Sequence, residues 1–186
     1  MLVILSGVAG AGKDTIKNKL IEKNSNYTTL PSYTSRSPRA TDIPNVTYNF
    51  VTKEQFEEMI NNNELYEYSL HHNNYYGTSK KLLQEKLNEG KIIIKDIDVN
   101  GTEDLINLLK NEVKILTIFL KVSKEELLNR LNNRNDHLSQ EEIKMRLSRL
   151  EYEESKIPLY DYVIDNNNLD ETIIKIEEII NKNKWY

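Results

Sequence analysis

The stretch Gly7-Val8-Ala9-Gly10-Ala11-Gly12-Lys13-Asp14-Thr15 follows directly on an apolar run, Leu2-Val3-Ile4-Leu5. A buried strand that ends in a glycine-rich turn and reopens as a helix leaves few architectures open, because backbone N–H groups in the turn converge on one point. The pattern GxxxxGK[ST] is met at Gly7, Gly12 and Lys13. Asp14 takes the place of the usual hydroxyl residue, and Thr15 follows it. Glycines let the backbone curl inward, and the helix that begins near Lys13 adds the positive end of its dipole. Such a turn suits a polyphosphate.

The rest of the chain alternates strand and helix signals, which points to an α/β fold with a parallel sheet covered on both faces. Segments 2–6, 28–33, 91–97, 113–120 and 162–164 are the five expected buried strands. Three helices are expected to start at Thr52, Ser123 and Ser139, each followed at capping-box spacing by Gln55, Glu126 and Glu142. Ile173, Ile176, Ile179 and Ile180 give the last helix a core face. The asparagine triplets 61–63 and 166–168 read as loops. Residues 32–79 break the alternation with strand-like Tyr48-Asn49-Phe50-Val51 and Leu65-Tyr66-Glu67-Tyr68-Ser69-Leu70, and are expected to form a small antiparallel insertion. Residues 127–150 read as an arginine-rich helical hairpin, a lid: Arg130 and Arg134 lie four apart, Arg146 and Arg149 three apart, so each helix can aim two cations at one point.

Length and charge narrow the partners. A chain of 186 residues suits one domain, and 25 Lys+Arg against 29 Asp+Glu gives a net charge of -4, which argues against nucleic-acid binding driven by bulk charge. The absence of cysteine rules out disulfides, thiolate chemistry and a thiolate zinc site. No run approaches the length of a membrane span, so a cytoplasmic protein is expected, as monomer or homodimer. His71, His72 and His137 lack metal-ligand spacing, and no role follows for them.

With these pieces placed, the sequence resembles the guanylate kinase family over nearly its whole length. The segment Ser32-Tyr33-Thr34-Ser35-Arg36-Ser37-Pro38-Arg39 is similar to the family's S-x-T-T-R-x-P-R, and Tyr48-Asn49-Phe50-Val51 to its Y-x-F-V. Asn63-Glu64-Leu65-Tyr66-Glu67 matches G/N-x-F-hydrophobic-E, and Tyr75-Tyr76-Gly77-Thr78 matches Y-Y-G-T/S. Lys95-Asp96-Ile97-Asp98-Val99-Asn100-Gly101 resembles L-D-I-D-x-Q-G. The resemblance implies a P-loop NTPase-type three-layer core around a five-stranded parallel sheet (residues 1–31, 80–126 and 151–186), a GMP-binding insertion (32–79) and a helical lid (127–150).

The resemblance also implies roles. ATP would bind Gly7, Ala9, Gly10, Ala11, Gly12, Lys13, Asp14 and Thr15, with Asn166 near the adenine. Arg36, Arg39, Tyr48 and Tyr76 would hold the GMP phosphate, while Ser32, Glu67, Thr78 and Asp96 read the guanine. A carboxylate at Glu67 can accept from guanine N1–H and its exocyclic amine together, whereas adenine presents a lone pair at N1. Lys13, Arg130, Arg134 and Arg146 are the expected catalytic cations, and Asp14 and Asp98 the expected ligands of Mg²⁺. The chain departs from the pattern at Asp14, at Thr41-Asp42, where the family has G-E, and at Asn45, where it has glycine. The reaction so implied is ATP + GMP to ADP + GDP, with dGMP as a second acceptor. A kinase for another nucleoside monophosphate and a non-catalytic interaction module of the same fold are the alternatives. A GTPase is disfavoured: Asp98-Val99-Asn100-Gly101 fits DxxG, but no N-K-x-D follows.

Overall fold

The computed structural model describes residues 1–40, 42–71, 73–133 and 139–184. From the amino terminus the chain forms β1 (Leu2–Ser6), α1 (Lys13–Lys23), β2 (Tyr27–Thr29), β3 (Ser32–Thr34), β4 (Tyr48–Phe50) and α2 (Lys53–Asn61). Next come the hairpin β5 (Leu65–His71) and β6 (Asn74–Ser79), then α3 (Lys80–Asn88), β7 (Ile92–Asp96), α4 (Val99–Leu109) and β8 (Ile115–Lys121). The chain ends in α5 (Lys124–Asn132), α6 (Gln140–Ser148), α7 (Leu150–Ser155), a 3-10 turn (Ile157–Leu159), β9 (Tyr162–Asp165) and α8 (Leu169–Asn183). No helix among the described residues is long and apolar enough to cross a membrane.

Five strands form one parallel sheet in the order β2-β7-β1-β8-β9. Because neighbouring residues of a strand face opposite ways, the unbroken apolar run of β1 serves two cores. Val3 and Leu5 pack with Ile16 and Leu20 of α1 and with Ile173, Ile176 and Ile180 of α8. Leu2 and Ile4 pack on the other side with Leu83 of α3 and with Leu105 and Leu109 of α4. The loop after β1 therefore emerges at the carboxyl edge of the sheet with helices on both sides, where ligand sites of open α/β sheets gather.

The expected strand at 28–33 is two strands in two sheets. Pro31 has no N–H to give to a ladder, so β2 stops before it and β3 restarts in the second sheet. That second sheet, β4-β3-β6-β5, is mixed rather than antiparallel as expected. β3 and β4 are parallel, since the long connection 35–47 carries the chain back to the end from which β3 began. The remaining pairs are antiparallel, with a bulge between Leu65 and Glu67.

Capping chemistry sets the helix starts. Thr52 with Gln55, and Ser139 with Glu142, form reciprocal capping boxes. Ser123 caps α5 in one direction only, because the Glu126 side chain is taken by Arg130 Nε at 2.6 Å. Of the asparagine triplets, Asn63 holds a turn at φ 55 and Asn168 caps α8.

Phe56 fastens α2 to the second sheet: fully buried, it stacks on Tyr75 with ring centroids 5.0 Å apart and planes at 10°. Gly77 makes room for it, since a Cβ there would lie 2.9 Å from Phe56 Cζ. Replacing Phe56 by Ala is expected to cost about 3 kcal/mol in urea unfolding. Amide exchange should accelerate in β5 and β6 more than in β1 and β8.

Candidate active site

The glycine loop is moulded by its neighbours. Gly7 adopts φ 138, and a Cβ there would sit 2.4 Å from the Leu120 carbonyl oxygen of β8. Gly12, at φ 94, opens α1 in the left-handed region against the Asn166 side chain. Asn166 is buried and donates from Nδ2 to the Ala11 carbonyl at 2.7 Å. Arg130 donates from Nη1 to the same carbonyl at 3.3 Å and from Nη2 to the Asn166 carbonyl at 2.6 Å. Both side chains thus brace the back of the loop. Lys13 lies across it, its Nζ donating to the carbonyls of Gly7 at 2.5 Å and Val8 at 3.1 Å.

A buried ion triad lies beneath. Lys17, 2% exposed, donates to Asp14 Oδ1 at 3.0 Å and to Asp96 Oδ1 at 2.6 Å. Burial opposes the charge on Lys17, but the two carboxylates outweigh it and raise its pKa above the ordinary lysine value. Burial likewise opposes ionisation of Asp96, yet the Lys17 ammonium holds its pKa at about 2. Asp14 titrates the other way: Asp96 and burial raise its pKa, and Lys17 offsets them only in part. Its carboxyl stays 56% exposed, facing the loop cavity.

That cavity, of about 610 Å³, is lined by Ala9, Gly10, Gly12, Lys13, Asp14 and Thr15 on one side and by Arg39, Tyr48 and Asp96 opposite. Arg130, Arg146, Asn166 and Leu169 complete its wall. The loop cations and an arginine from the insertion therefore share one space. Arg134 and Thr41 lie outside the described residues.

The second sheet lays its polar side chains in a row. Ser32 is in register with Tyr48 across β3 and β4, and Thr78 with Glu67 across β6 and β5. The Tyr33–Gly77 pair places Ser32 beside Thr78, so the row runs Tyr48, Ser32, Thr78, Glu67 over four strands. Glu67 is 6% exposed and accepts a short hydrogen bond from the Thr78 hydroxyl. Burial raises its pKa, with Lys95 and Thr78 pulling against the rise. Burial also raises the pKa of Tyr48, so its phenol keeps its proton as a donor. Tyr76 meets Tyr48 edge-on at 5.9 Å.

The departures at Asp42 and Asn45 are each accommodated. Asp42 accepts from Arg36 Nη2 at 2.9 Å and from the Arg39 backbone at 2.6 Å. Asn45 takes φ 62 in place of glycine, as asparagine can. Arg36 is stacked at 5.2 Å over the Tyr48 ring, held beside the cavity rather than lining it.

Asp98, expected to hold metal, is otherwise engaged. Its Oδ1 caps α4, accepting from the amides of Asn100 at 2.8 Å and Gly101 at 3.0 Å, and its Oδ2 meets His71 Nε2 at 2.8 Å. Burial opposes its ionisation, but His71 and the cap amides bring its pKa to about 2. His71, assigned nothing from the sequence, reaches Arg149 through Nδ1 at 3.4 Å and so links the lid side to α4. Lys17 and Lys95 also escaped sequence reading. The signal for Lys95 is a lone cation after Ile92-Ile93-Ile94 in a buried strand.

A loop shaped for a polyphosphate, faced across one cavity by an arginine and a phenol of the insertion, with a polar strand row running on from that phenol outside the cavity lining, can hold two phosphorylated ligands. That is the arrangement of the P-loop nucleoside monophosphate kinases. The chain belongs to the guanylate kinase family, whose model matches residues 1–183. It is 36% identical over 181 residues to guanylate kinase of Rickettsia felis, covering 97% of this chain and 92% of that protein. It is 37% identical over 185 residues to guanylate kinase of Clostridioides difficile, covering 99% and 88%. The crystal structure of guanylate kinase from Anaplasma phagocytophilum superposes with a TM-score of 0.80 at 27% identity, covering all of this chain and 87% of that one.

The buried carboxylate of Glu67 has a stability cost. A carboxyl whose folded pKa exceeds its unfolded value destabilises the fold once the unfolded chain ionises, and the cost grows as pH rises through the folded pKa. Glu67→Gln is therefore expected to stabilise the ligand-free protein by about 1 kcal/mol at pH 8. Denaturant titrations across pH should show the difference vanishing below about pH 4, the ordinary glutamate range.

Proposed function

We propose that the protein transfers the γ-phosphoryl group of ATP to GMP or dGMP, giving ADP and the corresponding diphosphate. The observation that carries this reading is the polar row ending in the buried Glu67 carboxylate, set in the insertion that faces the phosphate loop. Glu67 accepts from N1–H and the 2-amino group of guanine, while adenine would leave the carboxylate unpaired against a ring lone pair. Arg39 and Tyr48 take the acceptor phosphate, aided by Arg36 and Tyr76.

On the donor side the Lys13 ammonium exchanges its two carbonyl partners for β- and γ-phosphate oxygens, and the loop amides cradle them. Arg130 and Asn166, spent on the loop backbone, fix its shape. Arg146, together with Arg134, supplies positive charge as the γ-phosphoryl group moves. Closure of the lid excludes water that would otherwise compete as acceptor. The attacking atom is a phosphate oxygen, so no general base is required.

The residues present fit a magnesium ion. Mg²⁺ keeps its own waters and takes one or two carboxylates plus substrate phosphates, and the cavity offers Asp14 beside the loop. Bound there, the ion would neutralise charge between the β and γ oxygens. Asp98 acts instead as the cap of α4.

Release of ADP measured with each nucleoside monophosphate in turn tests the reading: GMP and dGMP should exceed AMP, CMP and UMP in kcat/KM by at least about a hundredfold. Comparable turnover of AMP would contradict it. Arg146→Ala is expected to lower kcat by about a hundredfold or more while changing the KM for GMP less than about threefold. A change confined to the KM for GMP would place Arg146 on the acceptor side.

A further inference from the structure

Lys95 is fully buried in β7, between Ile94 and Asp96 on its own strand and paired in register with Ile4 of β1. A lysine there loses both hydration and side-chain freedom, and burial lowers its pKa. Its ammonium does not reach the cavity. It donates to Ser32 Oγ at 2.8 Å and to the Leu30 carbonyl at 3.4 Å, and its strongest countercharge is Glu67. The cation is therefore fastened to the polar row at Ser32 while staying out of the cavity lining.

We propose that Lys95 is a specificity-determining positioning residue, which locks the Ser32 hydroxyl as a hydrogen-bond donor to the 6-oxo group of the acceptor base. The inference rests on the reading of Glu67 as the guanine partner and deepens it. When Glu67 accepts from N1–H and the 2-amino group, the 6-oxo group lies on the opposite side of N1 from that amine. It then faces the next residues along the row, Thr78 and Ser32. The Thr78 proton is already given to Glu67. Ser32 is left to donate, and it can do so because its oxygen accepts from an ammonium that has no lone pair to offer in return. A hydroxyl held this way cannot turn its proton back toward Lys95, which leaves that proton for the ligand side and favours donation to a 6-oxo group over acceptance from a 6-amino group. Lys95 thus favours guanine through Ser32 as Glu67 does directly, and it also offsets part of the charge that burial makes costly at Glu67.

The test is a cycle of variants and substrates. GMP is compared with 6-thioguanosine monophosphate, which keeps N1–H and the amine but offers sulfur, a weak acceptor, at position 6. In the unaltered enzyme kcat/KM should fall by about tenfold on that exchange, the worth of a hydrogen bond strengthened by charge. In Lys95→Met the ratio should shrink to within about twofold, through a higher KM for GMP with kcat largely kept. Ser32→Ala should give the same small ratio, and the double variant nothing further. Lys95→Gln, which restores a neutral donor, should recover an intermediate ratio. If the methionine variant does not fold, the glutamine and alanine variants decide, and an unaltered ratio in either overturns the proposal. So does a Lys95→Met enzyme slowed equally on both substrates, the mark of a merely structural lysine. Absence of GMP turnover in the unaltered enzyme would instead remove the reading of Glu67, a result distinct from any of these.

Discussion

The ammonium of Lys17, buried between Asp14 and Asp96, is the contact on which the rest of the site depends. One carboxylate belongs to the helix that opens at the phosphate loop, the other to the carboxyl end of the neighbouring strand. Both line the same cavity, and both raise the electrostatic cost of bringing phosphates into it. Without a cation between them they would repel each other and push the start of α1 away from β7. Breaking a buried ion pair by removing one partner costs several kcal/mol, mostly because the survivor is left uncompensated. Lys17 therefore makes an aspartate at the first helical turn compatible with a polyphosphate site.

The same logic extends to the acceptor side. Glu67 is held almost out of water, where ionisation is unfavourable; on the proposed reading, guanine supplies the two donors that water would otherwise offer. The ligand-free protein bears that cost, and selectivity is the return. Lys95 and the Thr78 hydroxyl keep the cost tolerable from behind and beside the carboxylate. Two buried lysines thus stabilise carboxylates of the site, Lys17 those of Asp14 and Asp96 and Lys95 that of Glu67.

The amino-acid sequence disclosed the loop, the order of the elements and the cap residues, because each is written over a few neighbouring positions. Thr52 with Gln55 and Ser139 with Glu142 act as their spacing implies. Features set by distant partners did not show. Lys17 meets Asp96 across 79 positions and Lys95 meets Ser32 across 63, so neither contact is marked by the local pattern around its lysine. The strand break at Pro31 is written in the chain, but the strand-favouring threonines and tyrosines on both sides of it read as one continuous strand. The parallel pairing of β4 and the capture of Asp98 by His71 and the α4 amides depend on where the long connection and the hairpin land, which no local spacing encodes.

Lys17 holds Asp14 and Asp96 together. A double-mutant cycle in urea unfolding, with Lys17→Met, Asp14→Asn and the pair, reads this directly. Lys17→Met alone should lose about 3 kcal/mol, mostly the cost of leaving Asp96, and in part the more exposed Asp14, without a countercharge. In the Asp14→Asn background the same change should cost at least about 1 kcal/mol less, since one repulsive partner is gone. Strictly additive losses would mean that Lys17 is merely packing, and that the donor and acceptor carboxylates do not depend on it.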